Sequence, residues 1–231
     1  MVHAGLPDCQ NLTGVFNQNI FYMSWYYWVA VVSAAICTSV CLYCVAYLVK
    51  RGRPVDYSKK SGNTSSAILY SYTGAMNPAF KESAYLNLPY YIAGVVYHLG
   101  TFLGLLLFIL FLAQININEG VKPVSAVLLF TGAACGVAIL LKRISDKKVR
   151  LLSTFDDYLS NILVTTFQVT AGLALLFPHS EPFYFLTASL MLIWLPFGKL
   201  KHVIYFFAAR FHLGYFYGWR NVWPVKTREG K

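Results

Sequence analysis

Residues 90–113 read YYIAGVVYHLGTFLGLLLFILFLA, an apolar run without a single Asp, Glu, Lys or Arg. As a helix, roughly 20 such residues cross a bilayer core. The run shows no strand-like alternation and is far longer than the roughly 10 residues of a barrel strand. Working outward, the nearest charges are Glu82 and Glu119, and the same pattern recurs along the chain. No charged residue lies between Asp8 and Lys50, between Lys122 and Lys142, or between Asp157 and Glu181. A further apolar run begins near Pro182 and is interrupted only by Lys199, Lys201 and His202 before about Ala208. These intervals predict five membrane helices, over about 21–49, 90–113, 123–141, 159–177 and 182–208. The chain is thus expected to be one all-α membrane domain over 1–231, a five-helix bundle.

Composition agrees. Of the 231 residues, 57% are hydrophobic and 12% charged, against about 25% charged in a soluble domain. That excludes a soluble enzyme and a disordered chain, and the distribution of charge excludes a nucleic-acid binder. Six basic residues (Lys50, Arg51, Arg53, Lys59, Lys60, Lys81) lie between the first and second spans. Five (Lys142, Arg143, Lys147, Lys148, Arg150) lie between the third and fourth. Seven (Lys199, Lys201, Arg210, Arg220, Lys226, Arg228, Lys231) lie at or after the end of the fifth. Only Lys122 of the 19 falls on the other side. Basic loops stay in the cytoplasm, so the N-terminus is expected outside and the C-terminus inside. The first 20 residues carry no Lys or Arg, so the first span reads as a retained anchor rather than a signal peptide. The polar stretch 51–88 reads as a cytoplasmic docking loop, with a short interfacial helix near 77–85.

Ionisable side chains inside membrane helices are costly and point to function. His98 is eight residues, ~12 Å, into the second span from its cytoplasmic end, and His202 is six residues, ~9 Å, from the cytoplasmic end of the fifth. Two imidazoles on different helices at matching depth suit bis-axial ligation of a haem iron. Either one alone could instead hydrogen-bond a neighbouring helix. Gly94, Gly100 and Gly104 allow close approach beside His98, and Gly132 and Gly136 repeat the spacing in the third span; they suit helix-on-helix or helix-on-macrocycle packing alike. His3, His179 and His212 read as terminal, surface and interfacial. Cys37, Cys41 and Cys44 share one helix face and read as small packing residues, while Cys9 and Cys135 have no evident partner.

The strings YHLGTF (97–102), STFDDYLSN (153–161) and LPFGKLKH (195–202) resemble the gamma subunit of respiratory nitrate reductase. The resemblance is nearer still to the five-helix membrane cytochrome b subunits of sulfite-reduction-associated, heterodisulfide reductase and transmembrane electron-transfer complexes, above all in GAMNPAFKESAYLNLPYYIAGVVYHLG (74–100). It covers about residues 45–212. It implies a subunit of a prokaryotic cytoplasmic-membrane complex that passes electrons between quinone, read here as menaquinone, and a cytoplasmic iron-sulfur subunit similar to that of heterodisulfide reductase. Any enzymatic activity would be that of a quinone-linked oxidoreductase acting only within the complex. An outer-side cytochrome c is a further candidate partner. His98 and His202 match the inner haem ligands of that family. The positions matching the outer haem's ligands fall near Phe108 and Tyr184, neither able to supply the usual imidazole, so one haem b is expected. Rival readings are a cofactor-free membrane anchor of a redox complex and a small proton-coupled transporter.

Lys199, Lys201 and Arg210 flank His202 and could pair with haem propionates or snorkel to headgroups. Pro196 is expected to kink the fifth span. Thr154 and Asp157 form a variant capping box at the start of the fourth. Asp157 could instead handle quinone protons, and Tyr97 and Tyr158 could hydrogen-bond a quinone carbonyl, although interfacial aromatics are common at both membrane faces. No cluster-binding Cys pair, nucleotide loop or nucleophile elbow is present.

Overall fold

The computed structural model describes residues 24–52, 56–77 and 87–225, which are helical with no strand among them. The helices are α1 (Trp25–Arg51), α2 (Thr64–Tyr72), α3 (Leu88–Leu112), α4 (Val121–Ser145), the single-turn α5 (Lys147–Leu151), α6 (Phe155–Leu176), α7 (Glu181–Trp194) and α8 (His202–Trp219). Four of them, α1, α3, α4 and α6, are long and apolar enough to cross a membrane. Their outward faces carry Trp28, Val32, Ile36, Leu106, Ile109, Val127 and Leu128, all exposed. Apolar surface on this scale belongs against lipid tails rather than water.

The fifth span departs from the sequence reading. A single helix over 182–208 was expected, but the chain forms two, α7 and α8, whose axes differ by 70° across the break. Pro196 stands in that break, where it cannot donate to a helical ladder. Two residues on, Gly198 is buried with Trp194 packed so closely that a Cβ would strike the indole. A single 3-10 turn, Lys199–Lys201, then leads into α8. We call this segment the elbow. His202 is therefore the first residue of α8, which runs to Trp219, rather than a position six residues from a helix end at Ala208.

In the bundle α3 packs on α4, α4 on α6, α6 on α7 and α7 on α1; α8 crosses back to α1 and α2. Short connections between successive long helices set most of this order. The core is aromatic: Phe167, Tyr184 and Phe185 are fully buried, with Phe108 against them. Tyr184 Oη donates to Gly104 O at 2.6 Å and Tyr27 Oη to Leu112 O at 2.6 Å, so each phenol ties two helices through a backbone carbonyl. Lys142 Nζ lies 4.2 Å from the Tyr90 ring centre, which sets the end of α4 beside the start of α3.

Within the expected docking loop 51–88, the described residues 56–77 carry a helix that packs on α8. Asn63 Oδ1 caps α2 by accepting from Ser65 N and Ser66 N. The helix then lies against α8, where a Cβ at Gly214 or Gly218 would strike Ile68 or Ala67. Ser71 Oγ donates to Arg210 O (2.7 Å), Tyr72 Oη to Phe207 O (2.6 Å) and Trp219 Nε1 to Ser58 O (2.9 Å). Arg220 Nη2 pairs with Asp56 Oδ2 at 2.8 Å. The expected interfacial helix near 77–85 and the residues Cys9 and His3 lie, for the most part, outside the described residues.

Candidate functional site

His98 sits ten residues into α3, on the face opposite the buried Gly100 and Gly104, and is exposed. Its Nδ1 lies 2.7 Å from Gly94 O. His202 is exposed too, and its Nδ1 lies 2.9 Å from Lys199 O. A carbonyl only accepts, so in each neutral ring the hydrogen is on Nδ1 and the lone pair is on Nε2. Metal-binding imidazoles are commonly held by such a bond from the other ring nitrogen. The two ring centres are 6.3 Å apart with their planes at 75°. With about 2 Å from a metal to each imidazole nitrogen and roughly 1 Å from each nitrogen to its ring centre, a metal shared by two such rings would set their centres about 6 Å apart at most. The observed 6.3 Å is close to that spacing, so the two rings could hold one metal ion between them. Among the described residues no three His, Cys, Asp or Glu side chains group as a metal site.

The elbow that presents His202 is clasped by the two acids at the start of α6. Asp156 Oδ1 accepts from Trp194 Nε1, the last residue of α7, at 3.0 Å. Asp157 pairs with Lys199 Nζ at 2.5 Å and with Arg143 Nη1, at the end of α4, at 3.0 Å. The Thr154 backbone N–H also reaches Asp157 Oδ2, at 2.8 Å, so the capping role and the clasp share one carboxylate. Lys199 thus joins Asp157 through its side chain and His202 through its carbonyl. A line of contacts runs from α4 through α6 to the imidazole.

The remaining candidates fall in three places. Gly94 supplies the carbonyl for His98, and a Cβ there would meet nothing within 4 Å, so that side of α3 is open. Gly100 and Gly104 serve helix packing rather than the His pair, because they lie on the other face of α3. A Cβ at Gly100 would strike Gln168 Oε1 and approach Gly132 Cα at 3.3 Å; one at Gly104 would meet the Phe167 ring at 2.7 Å. Lys201 turns toward α1 and lines a groove with Tyr43 and Tyr47. The Arg210 guanidinium lies 5.7 Å from the Phe206 ring centre. Tyr97 Oη is engaged inside the bundle, 3.0 Å from Asn161 O and 3.1 Å from Thr165 Oγ1, and so acts as a tie between α3 and α6. Tyr158 is half-buried beside Asp157.

The positions that the resemblance associates with an outer haem are filled by rings. The Phe108 and Tyr184 centres are 6.3 Å apart, Phe167 stacks on Tyr184 at 5.6 Å, and Phe185 contacts both. Sequence reasoning missed the role of Asp156 with Trp194, the charge cluster of Arg143, Asp157 and Lys199, and the buried Gln168. Gln168 Nε2 donates to Tyr97 O (2.9 Å) and Thr101 Oγ1 (2.8 Å). The only signal was a polar residue on an apolar helix face. Comparison of the chain with family models, curated proteins and solved structures gave no match.

Proposed function

We propose that the chain is a membrane cytochrome b subunit that carries electrons between a quinone and a peripheral iron-sulfur partner, with one haem b held by His98 and His202. The observation that carries this reading is the neighbouring imidazole pair: ring centres 6.3 Å apart on two helices, with each Nδ1 bonded to a backbone carbonyl, which leaves Nε2 as the ligating nitrogen of each ring. When bound, haem b supplies reversible one-electron chemistry, and its potential follows from its ligands and surroundings.

The chain's own residues then have separable tasks. Gly94 O and Lys199 O orient the two rings. The clasp at Asp156 and Asp157 holds the elbow. Filling of the Phe108 and Tyr184 region by aromatic packing supports a single haem. Of the residues first considered for propionate contact, Lys199 is already neutralised by Asp157 and Lys201 faces α1. Of the quinone candidates, Tyr97 and Asp157 are committed to structural contacts, which leaves Tyr158.

Lys50, Arg51, Lys142, Arg143 and Lys199 gather toward one end of the bundle, and at the other end Lys122 is offset by Glu119 at 2.6 Å. We take the basic end to be cytoplasmic, by the positive-inside rule. It offers an acidic iron-sulfur subunit a complementary surface. A reduced-minus-oxidised optical spectrum of the purified chain tests the assignment. A b-type α band is expected, and a flat difference spectrum from fully inserted protein contradicts it.

A further inference from the structure

Two adjoining grooves run along the seam between α1 and α8. The first, about 380 Å³, is lined by Tyr43, Tyr47, Tyr205 and Lys201 over apolar walls that include Leu48 and Ile204. The second, about 400 Å³, is almost wholly apolar, with Leu42, Val45, Val203 and Phe207 in its walls. Ile204 lines both, so the grooves are contiguous. Lys201 is half-buried and has no carboxylate partner among the described residues. The Arg51 guanidinium stands 4.9 Å from the Tyr47 ring centre and adds a second positive charge at the rim. The phenol hydroxyls of Tyr43, Tyr47 and Tyr205 have no hydrogen-bond partner among the described residues. No carboxylate lines either groove.

We propose that this seam binds an anionic phospholipid, with its phosphate on Lys201 and the tyrosine hydroxyls and an acyl chain in the apolar groove. A part-buried lysine whose charge has no carboxylate partner among the described residues favours an anion. Hydroxyl donors around it suit phosphate oxygens, and basic pockets between membrane helices are known headgroup sites. Inorganic phosphate would leave the second groove unused. A neutral prenylated quinone would leave the charge on Lys201 unmatched. The site lies beside His202 but does not depend on haem: it rests on the membrane setting and on the groove alone.

Native mass spectrometry of the full chain, delipidated in a mild non-ionic detergent and titrated with phosphatidylglycerol or phosphatidylcholine of the same acyl chains, tests it. Wild type is expected to retain phosphatidylglycerol preferentially. Lys201→Ala should weaken that retention about five-fold, as one near-surface cation is worth, and leave phosphatidylcholine unchanged. Lys201→Arg should keep the preference, and so should Lys122→Ala at the far end. If Lys201→Ala does not fold, the preference of wild type and Lys201→Arg decides. Equal retention of the two lipids by wild type overturns the proposal, as does unaltered retention by Lys201→Ala. Thermal stabilisation by inorganic phosphate equal to that by phosphatidylglycerol, or displacement of the lipid by an equal concentration of a neutral prenylated quinone, also overturns it.

Discussion

Replacing Asp157 by Ala removes the centre of the clasp that holds the elbow. The carboxylate is 12% exposed, its partner Arg143 21% and its partner Lys199 48%. Orphaning a buried charge costs about 3–5 kcal/mol, and Arg143 is near enough to buried to feel the lower part of that range. It keeps a hydrogen bond to Ser153 Oγ at 3.0 Å, which offsets a portion of the loss. Lys199 is half in solvent, so its own pairing adds at most about 1 kcal/mol. Loss of the helix cap at Thr154 adds about 1 kcal/mol. Together the expected destabilisation is about 3–4 kcal/mol. Asp157→Asn should cost about 1 kcal/mol less, since an amide oxygen still accepts from Thr154 N while the Arg143 charge stays unmatched. Unfolding in mixed detergent micelles, followed by circular dichroism across a sodium dodecyl sulfate titration, measures the difference. Because Lys199 O holds the His202 ring, the same variants should weaken haem retention more than a variant of equal stability loss remote from the elbow. An Asp157→Ala protein within about 0.5 kcal/mol of wild type, the range of ordinary surface substitutions, would refute the clasp.

Two further predictions follow from the packing and the tether. Gly132→Val should cost about 1–3 kcal/mol, the usual range for overpacking, since any Cβ there meets Gln168 Oε1 and nears Gly100 Cα at 3.2 Å; the same micelle titration reads it, and an unchanged midpoint would mean that α3 and α4 are not in close approach. Hydrogen bonds from Ser58, with the neighbouring Arg220 charge, hold the Asp56 carboxyl below the usual carboxylate range. A depressed carboxylate contributes stability above the unfolded value of about 3.9 and loses it as pH falls through the lower folded value. The tie between Asp56 and α8 should therefore weaken only below about pH 4. Tryptophan fluorescence from Trp219 should show an acid transition in wild type that Asp56→Asn lacks.

Most of the membrane architecture was legible because charge is expensive in a bilayer. The empty intervals between charges mark α1, α3, α4 and α6 almost without further argument. The elbow was only half legible. Pro196 announced a kink, but a 70° turn needs the buried Gly198 against Trp194, and proximity of that kind has no sequence signature. The polar segment before α3 read as a loop because a nine-residue helix, Thr64–Tyr72, is too short to show a clear period, and its partner Gly214 is far off in sequence. His98 and His202 stood out as ionisable residues in apolar runs. Their meeting depends on the elbow, not on equal depth along two straight helices, so matching depth is not what brings the two rings together. The glycines after His98 were assigned by spacing alone; helical phase, which sets Gly100 opposite His98, separates their role from that of Gly94.

The most direct test of the account is haem content per chain, by pyridine haemochrome, in wild type, His98→Ala and His202→Ala. One haem b per wild-type chain and none in either variant, with all three inserted equally, is the expected result. A wild-type value near two, or a variant that keeps its haem at an unchanged potential, would contradict the assignment of His98 and His202 as its two ligands.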